Sequence, residues 1–103
     1  MKVNTEYRKG VLFVRLMGRM DENGYLNKVN DIIDDFGIRF VVLNLKELRD
    51  ISLENIEHII RYNEKILKKK IKLFICDSKQ RRGRMFENII PSISNELEAF
   101  SLI

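Results

Sequence analysis

Residues 40–43, Phe40-Val41-Val42-Leu43, form a continuous apolar run that is β-branched in its middle. Such a run suits a strand covered on both faces, as in a parallel or mixed sheet. The sequence on either side supports that reading. Upstream, Tyr25, Leu26, Val29, Ile32, Ile33 and Phe36 recur at three- and four-residue steps, with Asn27, Lys28, Asn30, Asp31, Asp34 and Asp35 between them. That is one apolar helical stripe. Asp21-Glu22-Asn23-Gly24 is a loop that offers a carboxylate or an Asn as a cap, and Gly37 stands where a C′ glycine ends a helix. Downstream, Lys46 to Asp50 reads as a polar loop and Ser52 as the N-cap of a second helix. Ile51 and Ile56 would form a hydrophobic staple across that cap. The buried face of the second helix is expected at Ile56, Ile59, Ile60, Asn63, Ile66 and Leu67. Lys68-Lys69-Lys70 closes it at the negative end of its dipole.

Further out, Leu73-Phe74-Ile75-Cys76 is another buried strand. Asp77-Ser78 would cap a third helix with apolar positions Met85, Phe86, Ile89, Ile90 and Ile93, disturbed or ended by Pro91. Ala99 to Ile103 is the candidate for a last short strand. At the other terminus Val3, Thr5 and Tyr7 alternate with Lys2, Asn4, Glu6 and Arg8, and Lys9-Gly10 supplies a turn. Val11, Phe13, Arg15 and Met17 then oppose Leu12, Val14 and Leu16, so only one face of this second strand carries a charge. The pair reads as an opening β-hairpin. The order β-β-α-β-α-β-α implies an α/β fold: a mixed sheet entered by a hairpin, with right-handed crossovers between parallel neighbours.

The 103 residues fit one domain spanning 1–103 on a prior of roughly 100–200 residues per domain. Hydrophobic residues make up 45% and charged residues 33%, a globular mixture rather than a disordered or fibrous one. No apolar run approaches the about 20 residues of a membrane span. Met1 to Glu6 holds no apolar signal segment, so cytoplasmic residence is expected. The net charge of +4 permits a nucleic-acid or anionic-lipid partner without requiring one. Acidic and basic residues are interspersed, which reads as a solvated surface, and no membrane partner is expected.

Little in the chain suggests catalysis or a cofactor. No serine sits in a G-x-S-x-G turn, and Ser52 and His58, six apart on one helix, cannot readily meet. Gly10, Gly18, Gly24, Gly37 and Gly83 are isolated, and no phosphate-binding glycine loop exists. The lone cysteine, Cys76, excludes an internal disulfide and a multi-cysteine zinc site, and its place in an apolar strand suits an inert thiol. His58 reads as a surface histidine, and Asp31, Asp34 and Asp35 as a solvated helix face. Lys79, Arg81, Arg82 and Arg84 form a basic cluster, but Phe86 is the one aromatic nearby, so nucleic-acid binding is disfavoured.

The pattern resembles the STAS domain of bacterial anti-sigma factor antagonists over about Val11 to Glu87. Val11-Leu12-Phe13-Val14-Arg15-Leu16-Met17-Gly18-Arg19-Met20-Asp21 is similar to that family's second strand and its Gly-x-Leu-Asp turn. Val41-Val42-Leu43-Asn44-Leu45-Lys46-Glu47-Leu48 resembles the central strand with the Asn-Leu-x-x-Leu that follows. Leu73-Phe74-Ile75-Cys76 resembles the next strand, and Arg84-Met85-Phe86-Glu87 an Arg-Leu-Phe-Glu of the third helix. The resemblance implies a non-enzymatic partner-switching protein without cofactors, which binds an anti-sigma factor with serine kinase activity and frees a sigma factor. The kinase phosphorylates a serine in an Asp-Ser-Ser-Gly-type motif at the start of the second helix. Here Ser52, Leu53, Glu54 and Asn55 fall on that motif, so Glu54 takes the acceptor position. Its carboxylate either imitates the phosphorylated state with less charge or is a good first-turn residue in a chain whose switch is lost. Ser52 is read as a cap rather than a phosphosite. The expected contact surface comprises Asp21, Asp50, Ser52, Glu54 and Asn55. Rival readings are a divergent STAS scaffold subunit of a larger signalling assembly that does not switch, which self-association as a homo-oligomer would favour, and nucleic-acid binding through Arg81, Arg82 and Arg84. The family usually adds a strand and a helix after the third helix, and only Pro91 to Ile103 remain here, so one element is expected to be missing or shortened.

Overall fold

The structure is a computed structural model that describes residues 1–20, 24–77, 86 and 89–103. The hairpin β1 (Lys2–Arg8) and β2 (Val11–Arg19) opens the chain, followed by α1 (Tyr25–Phe36), β3 (Phe40–Asp50), α2 (Leu53–Leu67), β4 (Lys72–Cys76), β5 (Ser92–Ile93) and a 3₁₀ helix at Glu96–Ser101. The five strands lie in sequence order, β1-β2-β3-β4-β5. β1 pairs antiparallel with β2, and every later pair is parallel. The hairpin turn is two residues long, Lys9 and Gly10, both at positive φ, which is the twist-matched turn that right-handed strands prefer. β1 is exposed along its whole length, as an edge strand can be.

The two crossovers, β2-α1-β3 and β3-α2-β4, step in the same direction and share a hand, so both helices fall on one face of the sheet. There Leu12, Val14, Leu16, Val41, Leu43, Leu73 and Ile75 meet Val29 and Ile33 of α1 and Ile56, Ile59 and Ile66 of α2 in one buried cluster. Tyr62 joins them, its hydroxyl donating to Asn30 Oδ1 on α1 at 2.6 Å. It lies three residues from Ile59 and four from Ile66, on the helical stripe but beyond the residues expected there. The stripes also fray at their ends: Phe36 and Leu67, expected inside, are exposed. Gly37 ends α1 in the left-handed region, as its position implied. At the end of α2 that conformation falls to Lys70, at φ +63°. The Lys70 N–H donates to the Leu67 carbonyl and the Ile71 N–H to the Ile66 carbonyl, the paired bonds of a Schellman motif.

Three expectations are corrected. Lys46 to Asp50 is not a loop but the second half of β3. The pairing with β2 slips twice: Arg15 to Met17 faces Asn44 to Glu47, and Gly18 to Arg19 faces Leu48 to Asp50. The first slip reverses the alternation between Leu45 and Leu48, so both enter the helix-side core although they are three residues apart. Ile93 belongs to β5 rather than to a helix, and its carbonyl accepts from the Asp77 N–H. Ala99 to Ser101 lie in the 3₁₀ helix, not a strand. Both closing elements are therefore present in short form. The expected third helix falls mostly outside the described residues, as do Arg81, Arg82 and Arg84; near its expected end the Ile89 and Ile90 N–H groups donate to the Phe86 carbonyl.

The reverse face of the sheet is covered by this closing segment. Val11, Phe13, Val42, Phe74, Cys76, Ile93 and Ala99 form a second cluster, with Phe40 and Phe100 packed against it. Phe13 and Phe100 meet edge-on, centroids 5.7 Å apart.

Candidate functional site

The junction between β3 and α2 is built by a helix cap. Ser52 has extended backbone (φ −80°, ψ 160°), and its Oγ accepts from the Asn55 N–H at 3.2 Å. The Asn55 side-chain amide donates to the same Oγ at 3.1 Å. The Ile56 N–H donates to the Ser52 carbonyl, the first intrahelical bond, while Ile51 packs against the core cluster that contains Ile56. Ser52 thus acts structurally as the cap its sequence context implied, with its oxygen engaged twice.

A second contact ties this helix start to the end of β2. The Asn55 amide reaches the Met20 carbonyl at 3.5 Å, and the Met20 N–H donates to the Asp50 carbonyl at 3.4 Å. Of the residues expected at the site, Asp50, Ser52, Glu54 and Asn55 are therefore brought together. Asp21 lies outside the described residues, but its neighbour Met20 is held against the junction. Asp50 closes β3 and faces Arg19 at 3.9 Å, with both side chains about three-quarters exposed (75% and 74%), an ion pair of little energetic weight.

Glu54 sits in the first turn of α2 with its side chain 83% exposed, 3.8 Å from His58 Nε2 one turn on. Its carboxylate is placed where the helix dipole favours negative charge. Leu53, beside it, is 72% exposed. Sequence reasoning passed over Leu53, although its place outside the Ile56, Ile59, Ile60 stripe signals an outward side chain. The surface is open, with an anionic group and a large apolar group side by side. Among the described residues no cluster of His, Cys, Asp or Glu could hold a metal ion.

On the reverse face a polar network crosses three strands. The Arg15 guanidinium donates to both Glu96 carboxylate oxygens at 2.8 Å, and also to Glu6 at 2.8 Å and Asn4 at 3.0 Å. Asn44 adds a 2.7 Å donation to Glu96. The hydrogen bonds from Arg15 hold the Glu96 carboxyl below its usual range, and Glu96 in turn raises Arg15. Every group here is satisfied by a partner, so the network anchors the 3₁₀ helix rather than offering a reactive site. Cys76 is fully buried, and burial pushes its thiol up to about 11.

No family model matches the chain. Solved structures do. An anti-sigma factor antagonist from Mycobacterium paratuberculosis superposes with a TM-score of 0.76, covering 99% of this chain and 92% of its own at 16% identity. The anti-sigma factor antagonist SpoIIAA in its unphosphorylated form gives 0.70, covering 97% and 94% at 11% identity. The protein TM1081 from Thermotoga maritima gives 0.70, covering 98% and 93% at 14% identity. The chain has the STAS fold. In that fold the β3–α2 junction described above is the helix start to which the sequence resemblance assigned the acceptor motif, and Glu54 lies in its first turn. No helix among the described residues is long and apolar enough to cross a membrane.

Proposed function

We propose that this STAS-fold chain is a non-enzymatic regulatory protein-binding module of the anti-sigma factor antagonist type. It would bind an anti-sigma factor, a serine kinase-like protein, and so release a sigma factor. The contact surface is the β3–α2 junction with Asp50, Ser52, Glu54 and Asn55, together with the Asp21 segment. The observation that carries this reading is the exposed first turn of α2. Glu54 and Leu53 stand outward there on a backbone fixed by the Ser52 cap. An exposed apolar side chain next to a fixed charge suits recognition of a protein surface. Nothing about the arrangement requires a cofactor.

Affinity capture from the lysate of the source cell, read by mass spectrometry, tests the reading. The native protein is expected to retain an ATPase-fold anti-sigma factor, and Glu54→Arg to lose it while its melting temperature stays within a degree or so of native. Retention by Glu54→Ser but not by the native chain would show that Glu54 holds the surface in a phospho-like off state. Capture of no anti-sigma factor by either would overturn the proposal and favour the scaffold role.

A further inference from the structure

The charges that alternate along the sequence do not remain mixed in the fold. β2, β3 and β4 start at one end of the sheet, in the register Val11, Phe40, Lys72. The hairpin turn and the C-terminal ends of α1 and α2 lead into those starts and so lie at the same end. Lys9 in the turn, Arg39 before β3, Lys68, Lys69 and Lys70 after α2, and Lys72 at the start of β4 are all exposed there. The Lys72 N–H donates to the Arg39 carbonyl at 2.9 Å, which fixes the two side by side. None of these six pairs with a carboxylate among the described residues. Asp34, Asp35 and Glu64 lie in the last turns of the two helices and leave this end with an excess of positive charge. The helix dipoles account for cations following α2, but not for Lys72, while Lys9 Nζ lies 5.9 Å over the Phe100 ring.

A second observation concerns apolar surface at the same end. Phe36, the last residue of α1, is 65% exposed, and Leu67, the last of α2, is 53% exposed. The Tyr7 ring stacks on Phe36 with centroids 6.2 Å apart and is itself half exposed. Exposed aromatic and aliphatic side chains set among lysines are the signature of a surface that sits in the headgroup region of a bilayer. We propose that this end of the molecule docks on anionic phospholipid. The lysines meet the headgroup phosphates and carboxylates, and Phe36 and Leu67 enter the interface. A nucleic acid would use the cations but leave Leu67 without a role. The surface lies at the opposite end of β3 from Asp50, so a docked molecule presents the β3–α2 junction away from the membrane. The inference does not depend on what binds at that junction.

Vesicle co-sedimentation of the full chain tests it. Vesicles of two parts phosphatidylcholine to one part phosphatidylserine are expected to carry the protein down at low salt, and vesicles of phosphatidylcholine alone are not. Lys68→Gln/Lys69→Gln/Lys72→Gln removes three surface cations and is expected to weaken partitioning by about 100-fold, at roughly fivefold per cation. Circular dichroism melts show that the variant is folded. Phe36→Ser keeps every charge and is expected to weaken partitioning several-fold at low salt, whereas 1 M salt, which screens the charge contribution, is expected to release the native chain. Equal sedimentation with both vesicle types, none with either, or an unchanged triple variant would overturn the proposal. So would duplex DNA binding tighter than the vesicles and indifferent to Phe36→Ser, which would assign the end to nucleic acid.

Discussion

Ser52 is the residue on which the candidate site turns. Its Oγ takes both the Asn55 N–H and the Asn55 side chain, and Asn55 in turn reaches Met20 just past the end of β2. Ser52→Ala is expected to cost about 1 kcal/mol by chemical denaturation, with Ser52→Gly costing only a few tenths. Ser52→Asp, which retains an acceptor, should remain near native. A loss for Ser52→Asp as large as that for Ser52→Ala would show that the hydroxyl does more than cap. Much of this was legible in the sequence. Ser52, Ile51 and Ile56 form a local pattern read within one turn of helix, and local hydrogen bonding decides it. The tie between Asn55 and Met20 was not legible, because it joins residues 35 apart through β2–β3 pairing. Tyr62 was missed for a different reason. The hydroxyl that Tyr62 carries into the core is satisfied by Asn30, which lies on another helix.

At the scale of elements, β3 and the 3₁₀ helix depart from expectation. The first half of β3 announces itself by an unbroken apolar run. Its second half, Asn44-Leu45-Lys46-Glu47-Leu48-Arg49-Asp50, has neither a period of two nor an apolar run. Two register slips against β2 let it stay in the sheet, and such slips leave no simple periodic trace. Leu48 is the test residue: a loop leucine would tolerate truncation, whereas Leu48, 1% exposed, is expected to lose about 2–5 kcal/mol on replacement by Ala. The 3₁₀ helix is held on the reverse face by Glu96. Because the folded carboxyl is held below its unfolded value near 4.5, its contribution is fully present above that pH. It is lost as pH falls through the folded value. The stability difference between the native chain and Glu96→Gln should therefore be constant from neutral pH to about pH 5 and shrink on further acidification. A difference that does not change between pH 7 and pH 3 would remove the ion pair from the account.

The whole molecule follows from two rules about chain direction. A hairpin followed by two same-handed crossovers stacks the strands in sequence order and places both helices on one face; the alternation of strands and helices had implied right-handed crossovers between parallel neighbours. The other face then needs a cover, and the short closing strand and 3₁₀ helix supply it with Ile93, Ala99 and Phe100. That demand was not visible in the sequence, since Ala99 to Ile103 has no periodicity long enough to identify. Parallel strands also give the molecule two unlike ends: the β3–α2 junction at one, a cationic and partly apolar surface at the other. Hydrogen–deuterium exchange on the complex with the captured anti-sigma factor tests the central assignment most directly. Slowed exchange at residues 50–56 and around Met20, with the hairpin turn and residues 67–72 unchanged, is the predicted result. Protection confined to the hairpin end or to the reverse face, with 50–56 unaffected, would contradict it.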